Sequence, residues 1–193
     1  MYNIRADKEN TEGKLRALYA SSKQAGTIHV ESIGLDIDLT YPLAPNEVVT
    51  IDLTELVSED AIEALGINDY SIHVTSNVDM SLYLLNQAKY SSDATLVLPV
   101  AALGLDYYAM SYAVDYSWAG NPGWGFANFI GIVATEDNTT VSITPKKELA
   151  DSNFLVELRT EPYQVILNKG DTYQATAVGG AQQYALEVTG SRI

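Results

Sequence analysis

One stretch in the middle of the chain decides the fold. Residues 70–112 read YSIHVTSNVDMSLYLLNQAKYSSDATLVLPVAALGLDYYAMSY, and after an aromatic segment the pattern resumes at residues 129–144 as FIGIVATEDNTTVSIT. Apolar and polar residues alternate with a period of two through several short runs of this stretch. Such alternation is typical of half-buried antiparallel strands, because successive side chains of a strand point to opposite faces of its sheet.

The same alternation extends in both directions along the chain. Turn-forming residues separate the runs at 41–46 (YPLAPN), 137–138, 168–170 and 179–180. The pattern predicts an all-β fold of two related antiparallel β-sandwich-like units packed into one body, with very little helix. The alternating apolar positions are Ile28 and Val30; Leu35, Ile37 and Leu39; Val49, Ile51 and Leu53; Ile72 and Val74; Met80, Leu82 and Leu84; Leu96, Leu98 and Val100; Val141 and Ile143; Phe154, Val156 and Leu158; Val165 and Leu167; and Leu186 and Val188.

Helix is predicted at one place. Ser58 suits the N-cap of a helix, and Glu59 and Asp60 suit the positive end of its dipole. Gly66 suits the left-handed residue that commonly ends a helix. One or two helical turns are therefore expected at residues 58–65.

Composition and charge exclude several classes of function. The chain has 193 residues, of which 47% are hydrophobic and 19% charged, which is enough for one substantial domain or two small β units. Its net charge of −14 argues against binding to nucleic-acid phosphates and to anionic lipid headgroups. The chain contains no cysteine, so disulfides, thiol catalysis and zinc sites built on thiolates are excluded.

No stretch of the sequence approaches the ~18 consecutive apolar residues of a transmembrane helix, and direct membrane insertion is not expected. The first residues, MYNIRADKENTEG, lack the apolar core of a secretory signal. If the protein is extracellular, we expect this chain to be an excised piece or to use another export route.

A weak internal repeat organises the chain. Residues 28–40 (IHVESIGLDIDLT) are similar to residues 132–144 (IVATEDNTTVSIT), and YSIHVTS, beginning at Tyr70, is similar to YALEVTG, beginning at Tyr184. The second copy stops at Ile193, which suggests a trimmed sequence or an open sheet edge. We predict an N-terminal linker, neck or first strand at residues 1–26, with residues 15–20 favoured as the strand. One β domain then follows over residues 27–193, with repeats at about 27–115 and 128–193.

Five short signatures occur in a characteristic order and carry a family resemblance. Together they resemble the N-terminal domain of IgGFc-binding proteins and its bacterial surface-protein relatives, over roughly residues 27–193. The resemblance implies a binding or adhesive module of a larger secreted or surface-attached protein rather than an enzyme. The signatures are SLYLLN (81–86), SSDATLVLPVAALGLDYY (91–108), ATEDNTTVSIT (134–144), LNKGDTYQ (167–174) and YALEVTG (184–190).

The aromatic-rich stretch at residues 107–129 contains the candidate ligand site, which is built around the loop at residues 116–126. Between Trp118 and Trp124 the sequence AGNPG contains the residues that break strands, so this part is predicted to be a loop. Exposed Trp rings stack on sugar rings or anchor a protein partner. The alternative is that both rings fold back and plug the end of a sandwich. The remaining predicted ligand-binding residues are Tyr112, Tyr116, Asp115, Asn121 and Phe126.

Metal sites are weaker alternatives. His29 and His73 both occupy polar positions of predicted strands, and a zinc pair is conceivable, but no third ligand is evident. Asp36, Asp38 and the turn at 136–138 are rich in oxygen ligands that suit calcium, although Asp and Asn are also the usual turn formers. The turn also begins the glycosylation sequon NTT. We predict neither a metal site nor a cofactor.

No catalytic motif is recognisable: the sequence lacks a nucleophile elbow, a phosphate-binding glycine-rich loop and a metalloprotease motif. The predicted function is extracellular or cell-surface recognition of a glycan or a surface or mucus protein, without catalysis. One alternative is a structural fibre-tip module, which fits a homotrimer. The other is a glycan-acting hydrolase, which requires two carboxylates about 5–10 Å apart.

Overall fold

The computed structural model describes residues 13–58, 61, 64–88, 91–111, 128–151, 158–177 and 188–193. These residues form an all-β structure built from antiparallel sheets, which confirms the predicted fold class. The strands are β1 Leu15–Ser21, β2 Gly26–Ser32, β3 Ile37–Leu43, β4 Val48–Asp52, β5 Gly66–Asn68, β6 His73–Ser76, β7 Ser81–Ala88, β8 Ser91–Leu96, β9 Phe129–Val133, β10 Thr139–Ile143, β11 Leu149–Ala150, β12 Leu158–Arg159, β13 Tyr163–Leu167 and β14 Thr172–Ala177.

The chain divides into two compact units. Unit 1 comprises Met1–Glu63 and Asp69–Leu103, and unit 2 comprises Ala64–Asn68 and Gly104–Ile193. The short strand β5 therefore lies in sequence between two segments of unit 1 but pairs with β14 of unit 2.

Unit 1 contains a four-stranded sheet in the order β4-β1-β7-β8 and a three-stranded sheet in the order β3-β2-β6. Both sheets contribute to one hydrophobic core. Leu18, Ile51 and Leu82 come from the larger sheet, and Ile28 and Val30 come from the smaller one. Two sheets that share one core form a β-sandwich.

The period-two pattern decides which residues of unit 1 enter this core. Leu18 of β1 lies opposite Ile51 of β4 and Leu84 of β7, and all three belong to the core cluster or pack against it. The neighbouring Tyr19 belongs to the opposite face of the sheet and lies opposite Tyr83, whose side chain is exposed. A shift of register by one residue would exchange the two faces of the sheet. Burial of the face that carries Leu18 therefore specifies which residues pair.

Unit 2 is built around β14. This strand pairs with β5, β9 and β11, and β12 extends the sheet beyond β11. A separate two-stranded sheet, β10 with β13, contributes Ile143 and Leu167 to the core that also contains Leu149 of β11 and Tyr173 of β14. Unit 2 is therefore also sandwich-like, with its own hydrophobic core.

The two segments that resemble each other in sequence differ in their pairing. In unit 1, β2 and β3 pair with each other over seven residues of each strand. In unit 2, β9 pairs with β14, whereas β10 pairs with β13. The two segments are therefore similar in sequence, but their strands have different pairing partners in the two units.

Local turn chemistry agrees with the sequence expectations. Asn138 has a φ of 56° in the turn before β10, and Gly170 has a φ of 90° in the turn before β14. Asn tolerates this left-handed region and Gly adopts it at little cost. Leu15–Ser21 forms the first strand, as predicted. At the predicted helix, the backbone N–H of Ala61 donates to Ser58 Oγ (3.1 Å), which is an N-cap hydrogen bond.

Candidate recognition surface

The predicted ligand residues Tyr112, Asp115, Tyr116, Trp118, Asn121, Trp124 and Phe126 all lie in residues 112–127, outside the described part of the chain. What the structure does describe are the two ends from which this segment departs, Ser111 and Asn128. Both ends belong to unit 2.

Side-chain hydrogen bonds hold the first end in place. The Ser111 backbone N–H donates to Thr189 Oγ1 (2.9 Å), and that hydroxyl donates back to the Ser111 carbonyl (2.9 Å). The Val188 backbone N–H donates to Ser111 Oγ (3.0 Å). These hydrogen bonds connect residue 111 to residues 188 and 189, which are 77 and 78 positions away in sequence.

The second end is held by strand pairing. The Ala177 N–H donates to the Asn128 carbonyl (2.9 Å), and Phe129 lies opposite Thr176 where β9 pairs with β14. Ala177 and Val188 are both core residues of unit 2, and Ala109 packs against that core just before the first end. Both ends of the aromatic segment are thus anchored on the same hydrophobic core.

A described surface of unit 2 leads directly into this segment. Tyr108, Arg192 and Thr144 lie side by side, because Arg192 forms antiparallel bridges to both of the other residues. The bridges rest on paired backbone hydrogen bonds between Tyr107 and Ile193 (2.8 and 2.9 Å) and between Thr144 and Arg192 (2.8 and 3.1 Å). Residues 188–193 are therefore bonded on two sides to unit 2 rather than left as an open edge.

Tyr108 and Met110 are strongly exposed, at 65% and 89%, although residue 109 between them packs on the core. Alternation puts Asp106 on the same side of this segment as Tyr108. Asp106 forms a two-point ion pair with Arg192, with Nε–Oδ1 at 2.9 Å and Nη2–Oδ2 at 3.0 Å. We call Asp106, Tyr108, Met110, Thr144 and Arg192 the Tyr108 platform.

The ion pair within the platform also changes the proton affinities of its members. The hydrogen bond from Arg192 lowers the pKa of Asp106, and the same interaction raises the pKa of Arg192. Both groups are therefore charged throughout the physiological pH range, and their charges cancel locally.

A second polar cluster lies inside unit 2. The Tyr173 hydroxyl donates to Asp151 Oδ2 (3.1 Å) and contacts the Tyr163 hydroxyl (2.8 Å). Because the carboxylate is an acceptor only, Tyr173 donates to it and Tyr163 must donate to Tyr173. Arg159 completes the cluster: its Nε donates to the same carboxylate oxygen (3.1 Å), and its guanidinium lies 5.3 Å from the Tyr163 ring centroid.

Burial raises the pKa of both tyrosines, which are neutral hydrogen-bond donors at any physiological pH. Tyr173 is only 1% exposed, so its hydroxyl is not presented to a ligand. The cluster is best interpreted as a satisfied polar network that fixes the position of Asp151 next to the core. Sequence patterns provide no signal for it, because Asp151 and Tyr173 are 22 positions apart.

The two histidines occur together on one face of the three-stranded sheet of unit 1. His29 Nε2 donates to Asp38 Oδ1 (2.8 Å), and His73 Nδ1 donates to Glu31 Oε1 (2.7 Å). The bond from His73 lowers the pKa of Glu31. Each histidine thus bonds to its own carboxylate, and in the described part of the chain no group of three or more His, Asp and Glu side chains is arranged to hold a metal ion.

The oxygen-rich turns hold backbone groups. Asp137 Oδ1 accepts the N–H of Lys169 (3.0 Å), and Asp171 Oδ2 accepts the N–H of Asn168 (2.7 Å). The Asn138 N–H is bound in the same way, because it donates to Asn168 Oδ1 (3.3 Å). These side chains act as turn formers, and Asp36 similarly occupies a left-handed turn position with a φ of 53°.

Comparisons with known proteins agree with the sequence resemblance. A family model described as IgGFc binding protein matches residues 93–193, just over half of the chain. No curated protein and no solved structure matches the chain. Within its described residues, no helix has the length and apolar character needed to cross a membrane. The matched region includes the Tyr108 platform and the whole aromatic segment, and the chain belongs to the IgGFc-binding protein family.

Proposed function

We propose that the protein is a non-enzymatic recognition module of a larger secreted or surface-displayed protein, and that it binds a glycan or a surface or mucus protein. Family membership is the observation that carries this proposal, because the family is described by binding. The family is described as IgGFc binding protein, which names IgG Fc as the ligand of that protein. IgG Fc therefore belongs among the test probes, although the proposal does not depend on it.

We place the ligand contacts on the aromatic segment at residues 112–127. Trp118 and Trp124 are the proposed anchors, since large flat rings supply contact area at a small cost in conformational entropy. The anchoring of Ser111 and Asn128 on one core supports this placement, because recognition segments are commonly carried by a rigid scaffold. The other proposed contacts are Tyr112, Asp115, Tyr116, Asn121 and Phe126.

Binding to immobilised glycans and surface proteins, IgG Fc included, tests the proposal. Trp118→Ala and Trp124→Ala should each weaken binding at least about tenfold, because truncating an aromatic anchor commonly costs about 2 kcal/mol. Tyr83→Ala is the matched control: Tyr83 is 48% exposed but belongs to unit 1, so its loss should leave binding unchanged.

Circular dichroism and thermal melting distinguish contact residues from core plugs. Exposed anchors leave the melting curve unchanged, whereas two tryptophans that plug a sandwich would make both variants insoluble or unfolded and would contradict the placement. Light scattering tests the fibre-tip alternative, which requires a trimer. A chain that binds no probe as a folded protein would refute the recognition function itself.

A further inference from the structure

We propose that the Tyr108 platform is a contact surface for neutral sugars that carry vicinal hydroxyl groups. This inference rests on the recognition function proposed above and names a ligand class for a surface outside the aromatic segment. It depends on two features of the platform: an exposed ring and a preformed polar pair beside the ring.

The ring of Tyr108 is available and firmly supported. Its side chain is 65% exposed, whereas Tyr107 and Ala109 on either side are hydrogen-bonded to residues 193, 191 and 190. Ala109 also packs on the core of unit 2. A flat ring on a fixed backbone stacks against the apolar face of a pyranose without first having to be ordered.

The Asp106–Arg192 pair has hydrogen-bonding capacity to spare. A guanidinium has five N–H donors and a carboxylate about four lone-pair positions, and the two-point contact uses two of each. Donors and acceptors thus remain side by side next to Tyr108. Each hydroxyl of a vicinal diol both donates and accepts, so one diol can satisfy both halves of the pair.

Gly190, two positions before Arg192, adds no side chain to this part of the surface. Among the described residues, and apart from its chain neighbours, a Cβ added at Gly190 would have one heavy atom within 4 Å, Lys146 Cγ at 3.8 Å. The Thr144 hydroxyl is exposed on the other side of Arg192. A sugar ring over Tyr108 therefore has a further hydroxyl partner within the platform.

Charge selects a neutral ligand. The two charges of the Asp106–Arg192 pair cancel, so the polar part of the platform carries no net charge to match an anion. The chain as a whole has a net charge of −14, which repels anionic ligands at long range. Lys146 near Gly190 contributes one positive charge, and an acidic sugar is consequently the informative competitor.

Saturation-transfer NMR of the full chain tests the inference with methyl glycosides as probes. The neutral probes are those of glucose, galactose, mannose, fucose and N-acetylglucosamine, and the anionic probe is that of N-acetylneuraminic acid. We expect at least one neutral probe to bind and the anionic probe to bind less. Tyr108→Ala should weaken binding about tenfold, whereas Tyr108→Phe should bind like the original chain because the ring is kept.

Arg192→Lys tests the polar pair separately, since it keeps the charge but loses the two-point geometry; weaker binding is expected. Tyr83→Ala, on unit 1, is the matched control for an exposed tyrosine. Unchanged circular dichroism of each variant shows that a loss of binding is not a loss of folding. Equal binding by the original chain and folded Tyr108→Ala would overturn the inference, as would stronger binding of the anionic probe.

The same experiment separates this inference from the proposed function. If neutral probes do not bind, or bind without depending on Tyr108, while array binding still depends on Trp118 and Trp124, the platform inference is wrong and the recognition function remains. If neutral sugars bind through Tyr108 but array binding does not need either tryptophan, the placement on the aromatic segment is wrong and the platform remains.

Discussion

Removing the Tyr173 hydroxyl should destabilise unit 2 more than any other single-oxygen change in its polar cluster. In Tyr173→Phe the ring remains, so the packing of this 1% exposed side chain is kept and only two hydrogen bonds are lost. One of them goes to a carboxylate and one involves Tyr163. A bond to a charged group contributes about 1.5–3 kcal/mol and a neutral one about 0.5–1.5 kcal/mol.

Two effects set the expected size of the loss. Asp151 keeps its bond from Arg159 at 3.1 Å, so the carboxylate does not become unpaired. The Tyr163 hydroxyl, in contrast, loses its acceptor while it is half-buried. We therefore expect a decrease of about 2–3 kcal/mol in the free energy of unfolding. Tyr163→Phe should cost only about 1 kcal/mol, because Tyr173 still donates to Asp151.

Urea unfolding followed by circular dichroism measures both values. With a slope of about 1–3 kcal/mol per molar urea for a small domain, the Tyr173→Phe midpoint should fall by about 1 M. The double variant should be less destabilised than the sum of the single variants, because both share one hydrogen bond. Tyr83→Phe, at an exposed position of β7, is the control. A Tyr173→Phe midpoint equal to that of this control would refute the assigned network.

Three further predictions concern other parts of the molecule. Burial raises the pKa values of Tyr163 and Tyr173, so the stability that they confer is complete below about pH 10 and declines as the pH rises further. Absorbance titration should show tyrosines that ionise at a higher pH than the others, and Tyr173→Phe should reduce their number; a titration without them contradicts the burial. Ile51→Ala should lower the free energy of unfolding of unit 1 by about 2–5 kcal/mol in urea unfolding, because Ile51 is buried. Val48→Ala in the same strand, at a position 65% exposed, should change it by less than about 0.5 kcal/mol, and similar losses in the two variants would disprove the register. Gly170→Ala should cost about 1–2 kcal/mol by thermal melting because the φ of 90° is unfavourable for alanine, and an unchanged melt would place this turn in another conformation.

Local patterns of the sequence were sufficient to predict the fold class. Several period-two runs correspond to observed strands: the run at Ile28 and Val30 lies in β2, the run from Val49 to Ile51 in β4, and the run at Val165 and Leu167 in β13. In these runs alternation also predicted which face is buried, because a strand places every second residue on the same side. The run at Leu96, Leu98 and Val100 was predicted wrongly: β8 ends at Leu96, Val100 begins a short 3₁₀ helix, and all three side chains are exposed. The family signatures are local in the same sense, since each is a short run of residues.

Pairing partners and polar contacts depended on the tertiary structure. Nothing in the sequence of β9 and β10 indicates that they pair with β14 and β13, whereas β2 and β3 pair with each other. The Tyr108 platform brings together residues that lie far apart in sequence, with Asp106 and Arg192 separated by 86 positions.

The physical reason is the range of each interaction. Strand alternation follows from backbone geometry and the burial of neighbouring side chains, and both can be read within a few residues. Which strands adjoin each other is decided by how two sheets bury a common core. The Tyr108 platform forms only when residues 188–193 lie between the segments around Tyr108 and Thr144, because this placement brings Arg192 to Asp106.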